Sequence, residues 1–144
     1  MKYCLLVLLI TCNVNAESIK DMTFGTLKVS EVTSIYDGDT FRANLSDLHP
    51  LISKRIGIRV SGVDTPEMRG KCDKEKKLAR EAKQFTVNFL RSSSDIELRN
   101  VKRGKYFRIV ADVYGDNKSL TKALLSNGLG VPYSGDKKIK NWCE

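Results

Sequence analysis

The apolar run Arg55-Ile56-Gly57-Ile58-Arg59-Val60-Ser61-Gly62 is cut off by Val63-Asp64-Thr65-Pro66-Glu67, which carries two carboxylates, a hydroxyl and a proline. The run reads as a buried strand, and charge at the end of such a strand is where sites tend to sit. Pro66 biases Thr65 away from helix toward an extended conformation. That leaves the Thr65 carbonyl free to face a ligand. Asp64 and Glu67 can supply oxygen to a hard cation or act on a water. An isolated D-T-P-E would be no more than a polar turn at a strand end. Its company changes the reading: Asp37-Gly38-Asp39-Thr40 upstream, Arg59 inside the strand, and Lys105-Tyr106-Phe107-Arg108 downstream.

Strict alternation puts Arg59 and Asp64 on opposite faces, because they are an odd number of residues apart. For both to serve one site the strand must bend or bulge, and Gly62 is the natural place. Upstream, Thr26 to Tyr36 is rich in β-formers, Asp37-Gly38 is a strong turn signal, and Thr40 to Leu45 returns as a second strand. Arg55 to Val63 is the third. After a loop, Asp73 caps a helix to about Arg91, with Leu78, Ala82, Phe85 and Phe89 as its apolar stripe. Ile96 to Val101 and Arg108 to Tyr114 are the fourth and fifth strands, separated by a basic turn. Ser119 caps a short helix that Gly128 ends. Pattern alone supports a small α+β domain. Five short strands, with a helix after the third, suit a closed five-stranded barrel of the oligonucleotide/oligosaccharide-binding (OB-fold) type, mainly β with packed helices.

The chain start is set apart from this pattern. Lys2 precedes the apolar run Leu5 to Ile10, and Val14-Asn15-Ala16 has the small-residue spacing of a cleavage site. We expect a signal peptide over 1–16, a loose leader over 17–25 and one domain over 26–144. A lipoprotein signal acylated on Cys12 is the weaker alternative. The run is well short of the roughly 20 apolar residues a membrane span needs. Signal removal takes Cys4 and Cys12 and leaves Cys72 and Cys143. In an exported protein one intramolecular bridge between them is the default; two free thiols or an intermolecular pair are the alternatives. Two cysteines and the single histidine, His49, make a poor zinc set. His49 reads as a loop residue, so catalysis is not expected to rest on histidine. The formal charge of +8 implies an acidic partner, whether nucleic acid, anionic lipid or an acidic protein.

Over roughly residues 26–133 the chain resembles the staphylococcal nuclease-like (thermonuclease) family. Four blocks carry the resemblance in order: Asp37-Gly38-Asp39-Thr40; Arg59 with Val63 to Glu67; Lys105 to Arg108; and Asn127-Gly128-Leu129. The resemblance implies an OB-fold barrel and calcium-dependent phosphodiester hydrolysis in DNA and RNA with low sequence specificity. It implies Asp39 and Asp64 as Ca2+ ligands with the Thr65 carbonyl. Glu67 would hold the attacking water as general base or orienter. Arg59 and Arg108 would clamp the phosphate, with P–O5′ cleavage leaving 3′-phosphate ends. Lys105 and Tyr106 would touch a neighbouring phosphate, and Tyr133 a base. The chemistry is coherent: two guanidinium forks and a doubly charged metal meet the negative charge that grows on the phosphoryl oxygens.

The chain departs from the family at Phe107, where glycine is usual, and in its short tail, where the best-known member continues into a long helix. Arg69-Gly70-Lys71-Cys72 and the terminal Trp142-Cys143 resemble the exported bacterial branch. A Cys72–Cys143 bridge would then pin the tail to the loop beyond Glu67. Substrates are expected to be DNA and RNA, single strands preferred, acted on by a monomer in the periplasm or outside the cell without stable membrane association. The alternatives are a non-catalytic nucleic-acid-binding OB-fold protein and a basic secreted domain that meets an acidic protein or lipid. Every metal and clamp position holds a competent residue, which favours the enzyme.

Overall fold

The computed structural model describes residues 22–144. The expected signal peptide, Cys4 and Cys12 lie outside the described residues. The described chain runs β1 (Leu27–Ile35), β2 (Thr40–Leu45), α1 (Pro50–Ser53), β3 (Ile56–Val60), β4 (Val63–Asp64), α2 (Asp73–Ser92) and β5 (Ile96–Arg103). It continues through a 3-10 turn (Lys105–Phe107), β6 (Ile109–Gly115), β7 (Lys118–Ser119), α3 (Leu120–Ser126) and β8 (Val131–Pro132).

β1 pairs antiparallel with β2 and β5, β2 with β3, and β5 with β6. β3 and β6 run parallel, with Ile58 opposite Ile109 and Val60 opposite Ala111, and this pairing closes a five-stranded mixed barrel. The strands alternate as half-buried strands do. Ile56, Ile58 and Val60 point into the core with Phe41, Ala43, Leu98, Ala111 and Val113, while Gly57 and Arg59 face outward. The outer face of β3 is therefore available to a site. The expected third strand is interrupted where Gly62 turns the chain at φ +79° and β4 leaves the barrel to pair with β8.

Helix α2 packs differently from its apolar stripe. Its buried line is Glu75, Ala79, Ala82, Thr86 and Leu90, while Leu78, Phe85 and Phe89 are only half-buried on its flanks. Small residues on the contact line let the helix sit close to the Asp37–Asp39 loop, and Thr86 donates to the Gly38 carbonyl at 2.7 Å. The helix cap is Cys72, whose sulfur accepts from the Glu75 N–H at 3.4 Å; Asp73 instead lies exposed in the first turn. α1 forms one turn in what reads as a plain loop, because His49 Nδ1 accepts from the Leu51 N–H and Pro50 is preset for a first turn.

Cys72 is bonded to Cys143, with Cα atoms 6.0 Å apart and a sequence separation of 71. Closing so long a loop in the unfolded chain contributes about 4 kcal/mol in the entropic account. The bridge lays the C-terminal tail back against the start of α2.

Candidate active site

The Gly62 turn brings Arg59 of β3 and Asp64 of β4 together: Arg59 Nη2 lies 3.3 Å from Asp64 Oδ1 and 3.3 Å from the Val63 carbonyl. Asp39 joins them because Thr40 is in register with Arg59, and the Val60 N–H donates to the Asp39 carbonyl at 2.8 Å. Asp39 and Asp64 are each 3% exposed. Asp39 Oδ2 accepts from the Thr65 N–H at 2.9 Å and the Thr65 hydroxyl at 3.1 Å. Asp39 Oδ1 accepts from the Thr40 hydroxyl at 3.0 Å and pairs with Arg59 Nη1. Thr65 thus aims its N–H and hydroxyl at Asp39.

Asp37 belongs to the site although the sequence marks it only as the first residue of the D-G-D-T block. Its carboxylate accepts from the Asp39 N–H at 3.1 Å, which holds the turn. Burial, and then the charge of Glu67, push its acid up to about 6 against the pull of Arg59. Burial also lowers Arg59 from the usual guanidinium range, opposed by Asp64, Asp37 and Glu67. The excess of buried carboxylates over guanidinium is the site's main electrostatic feature.

Glu67 stands at the edge, its side chain 45% exposed. Its loop is folded around Glu75, a buried carboxylate that accepts from the Lys71 N–H at 2.9 Å and lies 3.4 Å from the Glu67 N–H. Gly70 is required there: a Cβ would stand 2.6 Å from the Glu75 carboxyl carbon. Lys138 reaches back from the tail, 2.7 Å from Asp64 Oδ1 and paired with Glu67 Oε1. Nothing in the local sequence around Lys138 marks this contact, which depends on the path the tail takes toward its disulfide.

Arg108 lies across Gly57, where a Cβ would meet its Cγ at 3.0 Å. Its Nε is buried and has no partner among the described residues. Arg108 separates two grooves. One, of about 540 Å³, is lined by Arg59, Lys105, Arg108 and Tyr133. The Tyr133 ring is 5.7 Å from the Arg59 guanidinium carbon, and its hydroxyl donates to the Asp136 carbonyl at 2.6 Å. The other groove, of about 580 Å³, includes Tyr106 and Phe107. Lys105 and Tyr106, expected to act together, therefore line different grooves, because the chain turns through positive φ at Tyr106 and Phe107.

The donor set suits a hard cation: Asp39, Asp64, the Thr65 carbonyl and nearby Glu67 offer only oxygen. Asp39 accepts from the Thr65 N–H and hydroxyl and from the Thr40 hydroxyl and stands against Arg59, so a cation there must share or displace these partners. Cys72, Glu75 and Cys143 also cluster, but the two sulfurs are bonded to each other and offer no thiolate.

The Gly38 α-carbon is a close-packed point behind the site. A Cβ would lie 2.8 Å from Thr65 Cγ2 and 2.9 Å from Ala82 Cβ, both in buried residues that have little room to give. Gly38→Ala is expected to lower stability by about 1–3 kcal/mol, as overpacking does, read as an earlier midpoint in urea. It should also loosen Thr65 from Asp39.

A closed OB-type barrel that carries interlocked carboxylates and guanidinium on its outer face, beside a basic groove, defines a protein suited to binding phosphate and cation together. Residues 57–141 match the family described as Staphylococcal nuclease homologue, and the chain belongs to that family. The match spans Arg59, Asp64 to Glu67 and Lys105 to Arg108; Asp37 to Thr40 lie before it. A search among curated proteins found no match.

Proposed function

We propose that this protein is a calcium-dependent endonuclease that hydrolyses phosphodiester bonds of DNA and RNA and leaves 3′-phosphate ends. The observation that carries the reading is the cluster of Asp39, Asp64 and Arg59 beside Glu67, formed from separate segments of the chain. Calcium, held by Asp39, Asp64 and the Thr65 carbonyl, would supply positive charge to the phosphoryl oxygens. Arg59, held in orientation by two carboxylates, binds the phosphate with one edge of its fork. Arg108 approaches from the β6 side, lining the same groove as Arg59, where its guanidinium would meet a phosphate oxygen. Glu67, at the rim and reachable by water, orients the nucleophile and takes its proton. Lys105 and Tyr133 hold the nucleotide in their groove, and Tyr106 meets the strand on the far side of Arg108.

Single strands are the favoured substrate, because a shallow basic groove with exposed rings reads backbone and unstacked bases. The Cys72–Cys143 bridge supports an exported enzyme, periplasmic or secreted, since such bonds persist in oxidising compartments. Among the described residues no helix is long and apolar enough to cross a membrane. The test is degradation of single-stranded DNA by purified protein with calcium and with a chelator. Cutting only with calcium supports the reading. Salt-sensitive binding without cutting would replace it with a non-catalytic nucleic-acid-binding barrel.

A further inference from the structure

The groove beyond Arg108 shares Tyr106 and Arg108 with the proposed substrate path but holds further residues that the hydrolytic site does not use. Phe107 and Tyr106 sit at φ +60° and +55°, the left-handed region in which side chains other than glycine are strained. Both rings nevertheless face solvent, 76% and 91% exposed. Large rings held outward on a strained backbone gain nothing from the core, so their position points to a ligand. Tyr36, half-exposed at the end of β1, lines the same groove. So do the cations Arg42, Arg55 and Arg108, with Arg42 held in place by donating to the Arg55 carbonyl at 3.1 Å.

We propose that this groove is a second subsite for single-stranded nucleic acid, in which unstacked bases rest on Phe107 and Tyr36 while Arg42 and Arg55 follow the backbone. Exposed aromatics interleaved with arginine suit that ligand, because every base has a stacking face and every linkage a negative charge. Arg108 belongs to both grooves, so one strand can run from the hydrolytic site into this one. The inference rests on the nuclease reading and extends it to the substrate's length.

The test is fluorescence anisotropy with a labelled dinucleotide and a labelled thymidylate strand of roughly ten nucleotides, which spans the stacking sites. Phe107→Gly relieves the backbone strain and is expected to melt no lower than wild type, so weaker binding cannot come from unfolding. Phe107→Gly with Tyr36→Ala should weaken the longer strand about ten-fold or more and leave the dinucleotide within about two-fold, the scale of one to two lost stacks. Equal affinity of variant and wild type for the longer strand would overturn the subsite and leave the nuclease reading standing. No binding of either oligonucleotide by the wild type would overturn both.

The tail carries a second, independent inference, which also rests on the calcium reading. Lys138 touches Asp64 and Glu67 together, and the segment bearing it is anchored at Tyr133–Asp136 and at Cys143. An ammonium 2.7 Å from Asp64 Oδ1 and a dication on the same carboxylate repel each other, so each weakens the binding of the other. The geometry points to Lys138 as an internal competitor of calcium, strapped over the site by the disulfide. Lys138→Met keeps the stem and removes the charge. Calorimetry should show its calcium affinity raised about ten-fold, the scale of one removed like charge at a screened site. Cutting the strap by Cys143→Ser should move affinity in the same direction. Unchanged or weaker calcium binding by Lys138→Met would overturn the competition, while failure of the wild type to bind calcium would overturn the calcium reading itself.

Discussion

Glu67→Gln is expected to reduce turnover of single-stranded DNA by about 10²–10⁴-fold, the usual worth of a positioned general base. The fold should be unaffected. Glu67 is at the rim, and its side-chain partner among the described residues is Lys138, so glutamine keeps the shape and loses the charge and basicity. Asp39 and Asp64 are untouched, so the variant should still bind calcium, its affinity lowered by no more than about ten-fold through the loss of one nearby negative charge. The signature is a fall in kcat with little change in KM, because proton transfer is gained in the transition state and not in substrate binding. A variant that cuts at the wild-type rate would remove Glu67 from the mechanism while leaving the phosphate clamps in place.

Arg59→Ala is expected to cost about 10²–10³ in rate, by analogy with loss of one oxyanion donor. Unlike Glu67, it should also cost stability. Arg59 is the cation between Asp39 and Asp64, both buried, and its removal leaves Asp39 without a cationic partner and Asp64 with Lys138 alone. Breaking such a buried pair from one side costs about 3–5 kcal/mol, read in urea with chelator present. Added calcium should recover much of that stability but not the rate, since a bound dication replaces the lost charge and not the lost fork. Arg59→Lys should restore charge without the two-pronged geometry, and so recover stability more than turnover.

Arg59 and Glu67 are legible in the sequence because their neighbours along the chain are also their neighbours in space. Arg59, Asp64 and Glu67 lie within one short segment, and the only tertiary assumption needed is a bend, which Gly62 supplies. The barrel order is legible for a similar reason: strand and turn chemistry is local, and closing five short strands leaves few arrangements. The buried side of α2 is harder to read. Apolar periodicity points to Leu78, Ala82, Phe85 and Phe89; Ala82 is buried as expected, but the rest of the contact line follows Ala79 and Thr86, because the helix must approach the Gly38 backbone closely. Size, not hydrophobicity, chooses that face. Lys105 and Tyr106 are adjacent in sequence yet line different grooves, since two left-handed residues reverse the chain between strands.

Residue type at short spacing carried the family, the succession of the five barrel strands and the meeting of Arg59 with Asp64. Folding, not local sequence, lets Asp39 accept from Thr65 and Thr40 beside Arg59 and lets Glu75 hold the loop bearing Glu67. It alone placed Phe107 over a second groove and Lys138 on Asp64. The contacts of Asp39 with Thr65 and of Lys138 with Asp64 join residues far apart in the chain, and barrel closure and the disulfide between Cys72 and Cys143 bring those segments to one place.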